Sequence, residues 1–395
     1  MTARLETTPA TGAALERLLS RAVDLAASGD SAGRPILTSL IERVSWLDPL
    51  AFFSRVRAAT QDCFYWEQSA ERFALTGGGT AHVIAPEGRE RFARAAVEWR
   101  GLVANALIEG NPGDIPGVGP LLTGGFSFDP ERPRSPIWRE FPDSRLVLPR
   151  FLLTVAGDEC WLTTSAVVSS GDDPEALAAA LAAERATLLV DGGEHAVFPP
   201  SLELGEGDRG WGLPSAPPLD LEEVLSAAEW KAAVAGAASA VGYGALEKVV
   251  LARQVSVRAE SPFDVPEALR RLRASYPTCY VFAVARGDQV FLGATPERLA
   301  RLRDREVRVA CLAGSRQRGT TPEEDRRLGD ALLDSGKDRS EHAVVVRALR
   351  EALAPVCSEI SAPDGPALLS VRNVHHLYTP VTGRLANGAC MLDIV

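Results

Sequence analysis

Leu5, Ala14, Leu15, Leu18, Leu19, Ala22, Val23 and Leu25 recur at the spacing of one helix face, which predicts an amphipathic helix over about the first 30 residues. Residues 28–33 (SGDSAG) then form a turn-rich stop, so residues 1–36 read as a helical appendage. From 37 to 197 the pattern alternates in kind. Runs at 81–84, 146–148 and 151–155 are strand-like, while 87–107 and 174–189 keep helical spacing. That mixture predicts one half of an α+β fold rather than a regular βαβ repeat.

Residues 198–225 are crowded with Pro199, Pro200, Gly205, Gly207, Gly210, Gly212, Pro214, Pro217 and Pro218, and are expected to be a linker or long surface loop. Ser226 and Glu229 then make a capping box for a helix reaching about Val241 and stopping at Gly242 or Gly244. The β-branched run from Lys248 to Val257 predicts a strand. Val249, Leu251, Val255 and Val257 share one face of it, leaving Lys248 on the other. Residues 280–285 and 289–293 read as a hairpin, and 298–302 and 307–312 as a second pair turning at Asp304-Arg305. Thr321, with Pro322 behind it, caps a helix to about Ser335; another runs from about Asp338 to Leu353 before Pro355.

Composition narrows the class. With 46% hydrophobic and 24% charged residues over 395, disordered and fibrous classes are excluded. A net charge of −10 without a basic block argues against nucleic-acid and anionic-membrane partners. Residues 1–27 hold Glu6, Glu16 and Asp24 and no continuous apolar stretch, so a cytoplasmic protein without signal or membrane span is expected. Six scattered cysteines without CxxC spacing are expected to be small buried hydrophobes.

Five motifs stand in order along the second half: Glu247-Lys248-Val249-Val250-Leu251-Ala252-Arg253, Gly293-Ala294-Thr295-Pro296-Glu297, Leu312-Ala313-Gly314-Ser315-Arg316, Lys337-Asp338-Arg339-Ser340-Glu341-His342 and Val374-His375-His376-Leu377. Together they resemble the chorismate-utilising enzymes, and most of all the isochorismate synthases among them. The likeness is strong from about Ala227 onward. Gly124-Gly125-Phe126-Ser127-Phe128-Asp129-Pro130 and Phe141-Pro142 carry it, more weakly, into the first half. The resemblance implies an α+β fold with a large antiparallel sheet flanked by helices, with 37–197 as its N-terminal half and 226–395 as the chorismate-binding catalytic region.

It also implies a Mg²⁺-dependent isomerase that adds water to chorismate ortho to the carboxylate while the para hydroxyl leaves, serving menaquinone or, alternatively, a siderophore. By carry-over Lys248 is the base, which requires burial to lower its ordinary pKa of about 10.4; the plain alternative is a solvent-facing strand lysine. Glu297 is the acid, against a turn glutamate paired with Arg298 or Arg301. Glu341 is the magnesium ligand, against an i,i+4 pair with Lys337; Asp338 is a candidate to support it. Thr295, Gly314, Ser315 and His376 would bind substrate. Gly314 and Ser315 fit an anion cradle as well as a tight turn, whereas His375 has no counterpart in the motif.

Within the resemblance, anthranilate synthases usually carry glutamine where Lys248 stands and aminodeoxychorismate synthases a nucleophilic lysine where Ala313 stands, which implies water as the nucleophile here. Salicylate synthases share both features, so pyruvate elimination stays open. The family pattern further supplies an arginine, a glycine-rich loop, a second magnesium carboxylate and a second lysine that have no match here. The expectation is therefore a C-terminally shortened fold, a monomer prone to self-association, or a chorismate-binding remnant without catalysis.

Overall fold

The computed structural model describes residues 9–28, 32–111, 113–131, 135–190 and 220–394. Its larger sheet has nine strands. Their order is Gln289–Thr295, Tyr280–Arg286, Asp62–Gln68, Phe73–Ile84, Ser144–Ala156, Glu159–Val168, Ile36–Arg43 and Leu107–Glu109, with Thr123–Phe126 beside Ser144–Ala156. Every pairing is antiparallel except that of Ile36–Arg43 with Leu107–Glu109. The α+β class expected from the sequence is the class observed.

Helices Pro9–Ala27, Pro49–Ala59, Pro174–Leu188 and Val265–Ser275 bury one face of this sheet, joining Leu18, Phe52, Phe53, Leu181 and Leu269 to Phe151, Leu153, Val155 and Val281. Removing each such large side chain from water contributes about 1.5–3 kcal/mol. Helix Arg91–Val103 covers the other face through Ala95 and Leu102, against Ile84, Leu146 and Leu148. Helix Pro9–Ala27 is therefore no appendage. Its apolar stripe, legible in the sequence, packs Leu15, Leu18, Leu19 and Ala22 into the main core.

Nor do the strands sort at residue 226. Hairpin 280–295 adds two strands to the first sheet, with Val281 opposite Glu67. Helix Val265–Ser275 fastens it there: Arg273 donates to Asp48 at 3.0 Å and to the Tyr65 hydroxyl at 3.0 Å, and pairs with the fully buried Glu67 at 3.0 Å. Glu67 also accepts from the Tyr65 and Ser69 hydroxyls, and burial pushes the Tyr65 phenol up. Asp48 in turn caps helix Pro49–Ala59 through the Ala51 amide.

The second sheet places Arg301–Arg303, Glu306–Gln317, Val374–Leu385 and Cys357–Ser361 in order, with Ala367–Ser370 also on Val374–Leu385. Asp304 and Arg305, at φ +49° and +68°, make the predicted turn. Helices Pro322–Leu333 and Gly336–Leu353 lie on one face, over Val307, Val309, Leu377 and Val381.

Between the two sheets in sequence, helix Ala227–Gly242 carries the predicted capping box of Ser226 and Glu229 but buries no residue. The strand expected over 248–257 forms only at Val255–Arg258, paired with Asp220–Glu223. Residues 248–254 are irregular, with Val250 82% exposed, because no described strand lies alongside to bond their backbone groups. The expected linker thus ends in a strand at 220–223; its part from 198 to 219 lies outside the described residues. The six cysteines are free thiols, buried except for the half-buried Cys390. No described helix is long and apolar enough to cross a membrane.

Candidate active site

Strand Glu306–Gln317 breaks register with Val374–Leu385 between Leu312 and Ser315, so Ala313 and Gly314 form a bulge. Gly314 has φ +88°, and a Cβ there would lie 3.1 Å from Leu377 and 3.3 Å from Asp338, so the position demands glycine. Beyond the bulge Ser315 faces His376, its hydroxyl 2.7 Å from Nδ1. Alternation along Val374–Leu385 turns His375 the other way, under the helices. There its Nδ1 meets the Ser370 hydroxyl at 2.7 Å and its Nε2 meets Asp325 at 2.9 Å. Arg318 grips Asp325 with two bonds, at 2.7 and 2.6 Å, holding that carboxyl below the ordinary range. His375 is thus a satisfied structural histidine, and the same alternation in the sequence separates its face from that of His376.

Thr295 ends the edge strand of the large sheet, and its hydroxyl accepts from the Glu297 amide at 3.0 Å. That bond shapes the turn that presents Glu297, which is exposed. Arg298 donates instead to the Tyr280 hydroxyl at 2.8 Å. Lys248 is half-buried on the irregular stretch, and Glu247 beside it pairs with Arg347 of helix Gly336–Leu353.

The charges of Lys248 and Glu297 both reach Cys311, whose thiol burial pushes up to about 11; Lys248 opposes that rise and Glu297 adds to it. Burial also lowers His376, against the pull of Glu297, and lowers His342, where Lys248 acts in the same direction. Gly314, Ser315 and His376 thus meet at the bulge, and the charges of Lys248 and Glu297 act on Cys311, His342 and His376 next to it.

Glu341 and Asp338 lie in the first turns of helix Gly336–Leu353, where the Ser335 hydroxyl bonds Asp338 and Lys337 sits 3.6 Å from Glu341. Lys337 is 82% exposed, so that pair is a loose one. Among the described residues no three His, Cys, Asp or Glu side chains converge as a metal cage. Mg²⁺ asks for less, one or two carboxylates with water and substrate oxygens completing its shell, and the donors at 338 and 341 fit that demand. A cavity of about 490 Å³ opens on the helix side, bordered by Arg339, Arg347, Arg350 and Asp364, away from Ser315.

A family model described as chorismate binding enzyme matches residues 21–395. The chain belongs to that family. This chorismate-binding enzyme is 36% identical over 385 residues to the salicylate biosynthesis isochorismate synthase of Pseudomonas aeruginosa, covering 97% of this chain and 75% of that protein. Similarity to isochorismate synthase MenF of Bacillus subtilis is 32% over 368 residues, covering 91% of this chain and 74% of that one. The fold matches the menaquinone-specific isochorismate synthase MenF of Escherichia coli with a TM-score of 0.68 at 21% identity, over 96% of this chain and 77% of that one. Anthranilate synthase component I of Streptococcus pneumoniae shares the fold at a TM-score of 0.55 and 18% identity.

Proposed function

We propose that the protein is an isochorismate synthase acting in the cytoplasm. Water adds to the chorismate ring carbon ortho to the carboxylate, the ring double bonds shift, and the C–O bond of the para hydroxyl breaks. Lys248, as the neutral amine, takes a proton from the water; Glu297 delivers one to the departing hydroxyl, so atoms and charge balance without net consumption of water. Gly314 and Ser315 receive the ring carboxylate at the bulge, His376 hydrogen-bonds the substrate beside them, and Thr295 holds the turn that aims Glu297. Glu341, with Asp338 near it, would hold Mg²⁺, which would supply positive charge to the anionic substrate.

The observation that supports this reading is the Ser315–His376 pair beside the Gly314 bulge, with the charges of Lys248 and Glu297 acting on the neighbouring Cys311. Product analysis by NMR, with the full chain, chorismate and MgCl₂, tests it. Isochorismate alone is the expected product. Salicylate with pyruvate would make the protein a salicylate synthase, anthranilate from added ammonia would overturn both readings, and bound chorismate without turnover would leave a binding module. Menaquinone supply is the role proposed with it. Deleting the gene should then deplete menaquinone; loss of a siderophore instead would redirect the assignment.

A further inference from the structure

His342 has no part in the chemistry above, yet it is only 2% exposed and both of its ring nitrogens are engaged on the strands that build the site. Nδ1 lies 3.0 Å from the carbonyl oxygen of Ala313. A carbonyl can only accept, so Nδ1 carries the proton, and Nε2 accepts from the Thr379 hydroxyl at 2.8 Å. The partners thereby assign the tautomer.

The bond to Ala313 acts on the next residue. In a trans peptide the carbonyl of one residue and the N–H of the following one point in opposite directions. With the Ala313 carbonyl turned toward helix Gly336–Leu353, the Gly314 N–H is turned toward the opposite face of the sheet. That is the face on which Ser315 meets His376. The register break leaves Ala313 and Gly314 without partner residues in the ladder, and the Ala313 carbonyl is bonded to His342. A flip of the plane would present a carbonyl dipole where a carboxylate has to sit, replacing attraction by repulsion.

We infer that His342 is a positioning residue: by donating to the Ala313 carbonyl it holds the Ala313–Gly314 peptide with the Gly314 N–H offered to the substrate carboxylate beside Ser315 and His376. This rests on the chorismate reading above, which supplies the carboxylate. It also gives helix Gly336–Leu353 a second duty, because the helix bearing Glu341 then sets the anion seat as well.

Two substitutions separate positioning from mere packing. The asparagine amide nitrogen occupies the place of Nδ1, and the glutamine amide reaches only that of Nε2. Chorismate binding to the full chain is measured by calorimetry, with melting temperature alongside. His342→Asn should keep affinity within about threefold of wild type, while His342→Gln weakens it about tenfold at a similar melting temperature. Equal affinities, equal losses, or the reverse ranking would overturn the inference. Should either variant fail to fold, wild-type protein with ¹⁵N-glycine decides: the Gly314 amide resonance is expected to shift on adding chorismate, and a silent amide overturns the role. Wild-type protein that binds no chorismate at all would overturn the parent reading, and this one with it.

Discussion

Around the nine-stranded sheet the buried polar network of Arg273 and Glu67 ties a returning hairpin to a broad apolar core of Phe52, Phe53, Phe151 and Leu153, whereas under the helices of the five-stranded sheet the buried His342, His375 and Thr379 lie beside a smaller apolar cluster and bond the strands that carry Ser315 and His376. Apolar burial is non-directional, so the first region tolerates variation in which hydrophobes fill it. Hydrogen bonds between buried polar groups admit one geometry, and they hold the bulge and the strand that carry the expected substrate contacts. Both regions combine the two, but in the first the directed bonds fasten one part of the scaffold to another, and in the second they reach the strands of the candidate site.

The sharpest way to break this contrast is at Lys248 and Glu297. Lys248→Ala and Glu297→Gln should each lower isochorismate formation by about 10²–10⁴-fold while circular dichroism and melting stay as in wild type. Wild-type turnover in either variant would remove that residue from the mechanism. In the scaffold, Arg273→Ala strands the buried Glu67 carboxylate, and a loss of about 3–5 kcal/mol in urea unfolding is expected. A loss below 1 kcal/mol would mean that the charge cluster is incidental to the first sheet.

At the second sheet, Asp325→Asn should cost about 1.5–3 kcal/mol, since Arg318, Gly319 and His375 all bond that carboxylate. Its pH signature follows from the direction of the shift. Arg318 holds the folded pKa below the unfolded value of about 3.9, so the stabilisation is full above that pH and is lost as pH falls further. The acid limb of the wild-type stability curve should therefore be steeper than that of Asp325→Asn. Parallel limbs would contradict the assignment. Smallest of all, Lys337→Ala should change stability by no more than about 0.5 kcal/mol, because its ion pair with Glu341 is exposed. A larger change would show that helix Gly336–Leu353 depends on a pair read here as loose.

Much of this was legible where the signal is local. The capping box at Ser226, the Asp304-Arg305 turn, the hairpin after Tyr280 and the two helices ending at Leu353 all depend on neighbours in sequence, and all lie close to where they were expected. Partnership across the chain was not legible. The run from Lys248 to Val257 has β-branched composition, but a strand needs a neighbour, and only Val255–Arg258 finds one. The stripe on helix Pro9–Ala27 announced a buried face without saying what it covers. At the site, motif likeness picked out Ser315 and His376, yet nothing local to residue 342 marks a histidine that bonds a carbonyl 29 residues away.

The return of hairpin 280–295 to the first sheet has a genetic consequence. A reading frame divided in the Pro/Gly-rich stretch around residue 205 would yield an upstream product whose sheet stops at Asp62–Gln68, with that strand's outer row of amides and carbonyls left bare beside Tyr65 and Trp66. It would also lack Arg273, so Glu67 would lie buried without its counter-charge. The downstream product would carry the two strands and the guanidinium with nothing to lay them against. Such halves would have to be translated together and meet before either aggregated, which makes the gene a single indivisible unit for fusion, splitting or domain exchange at that point.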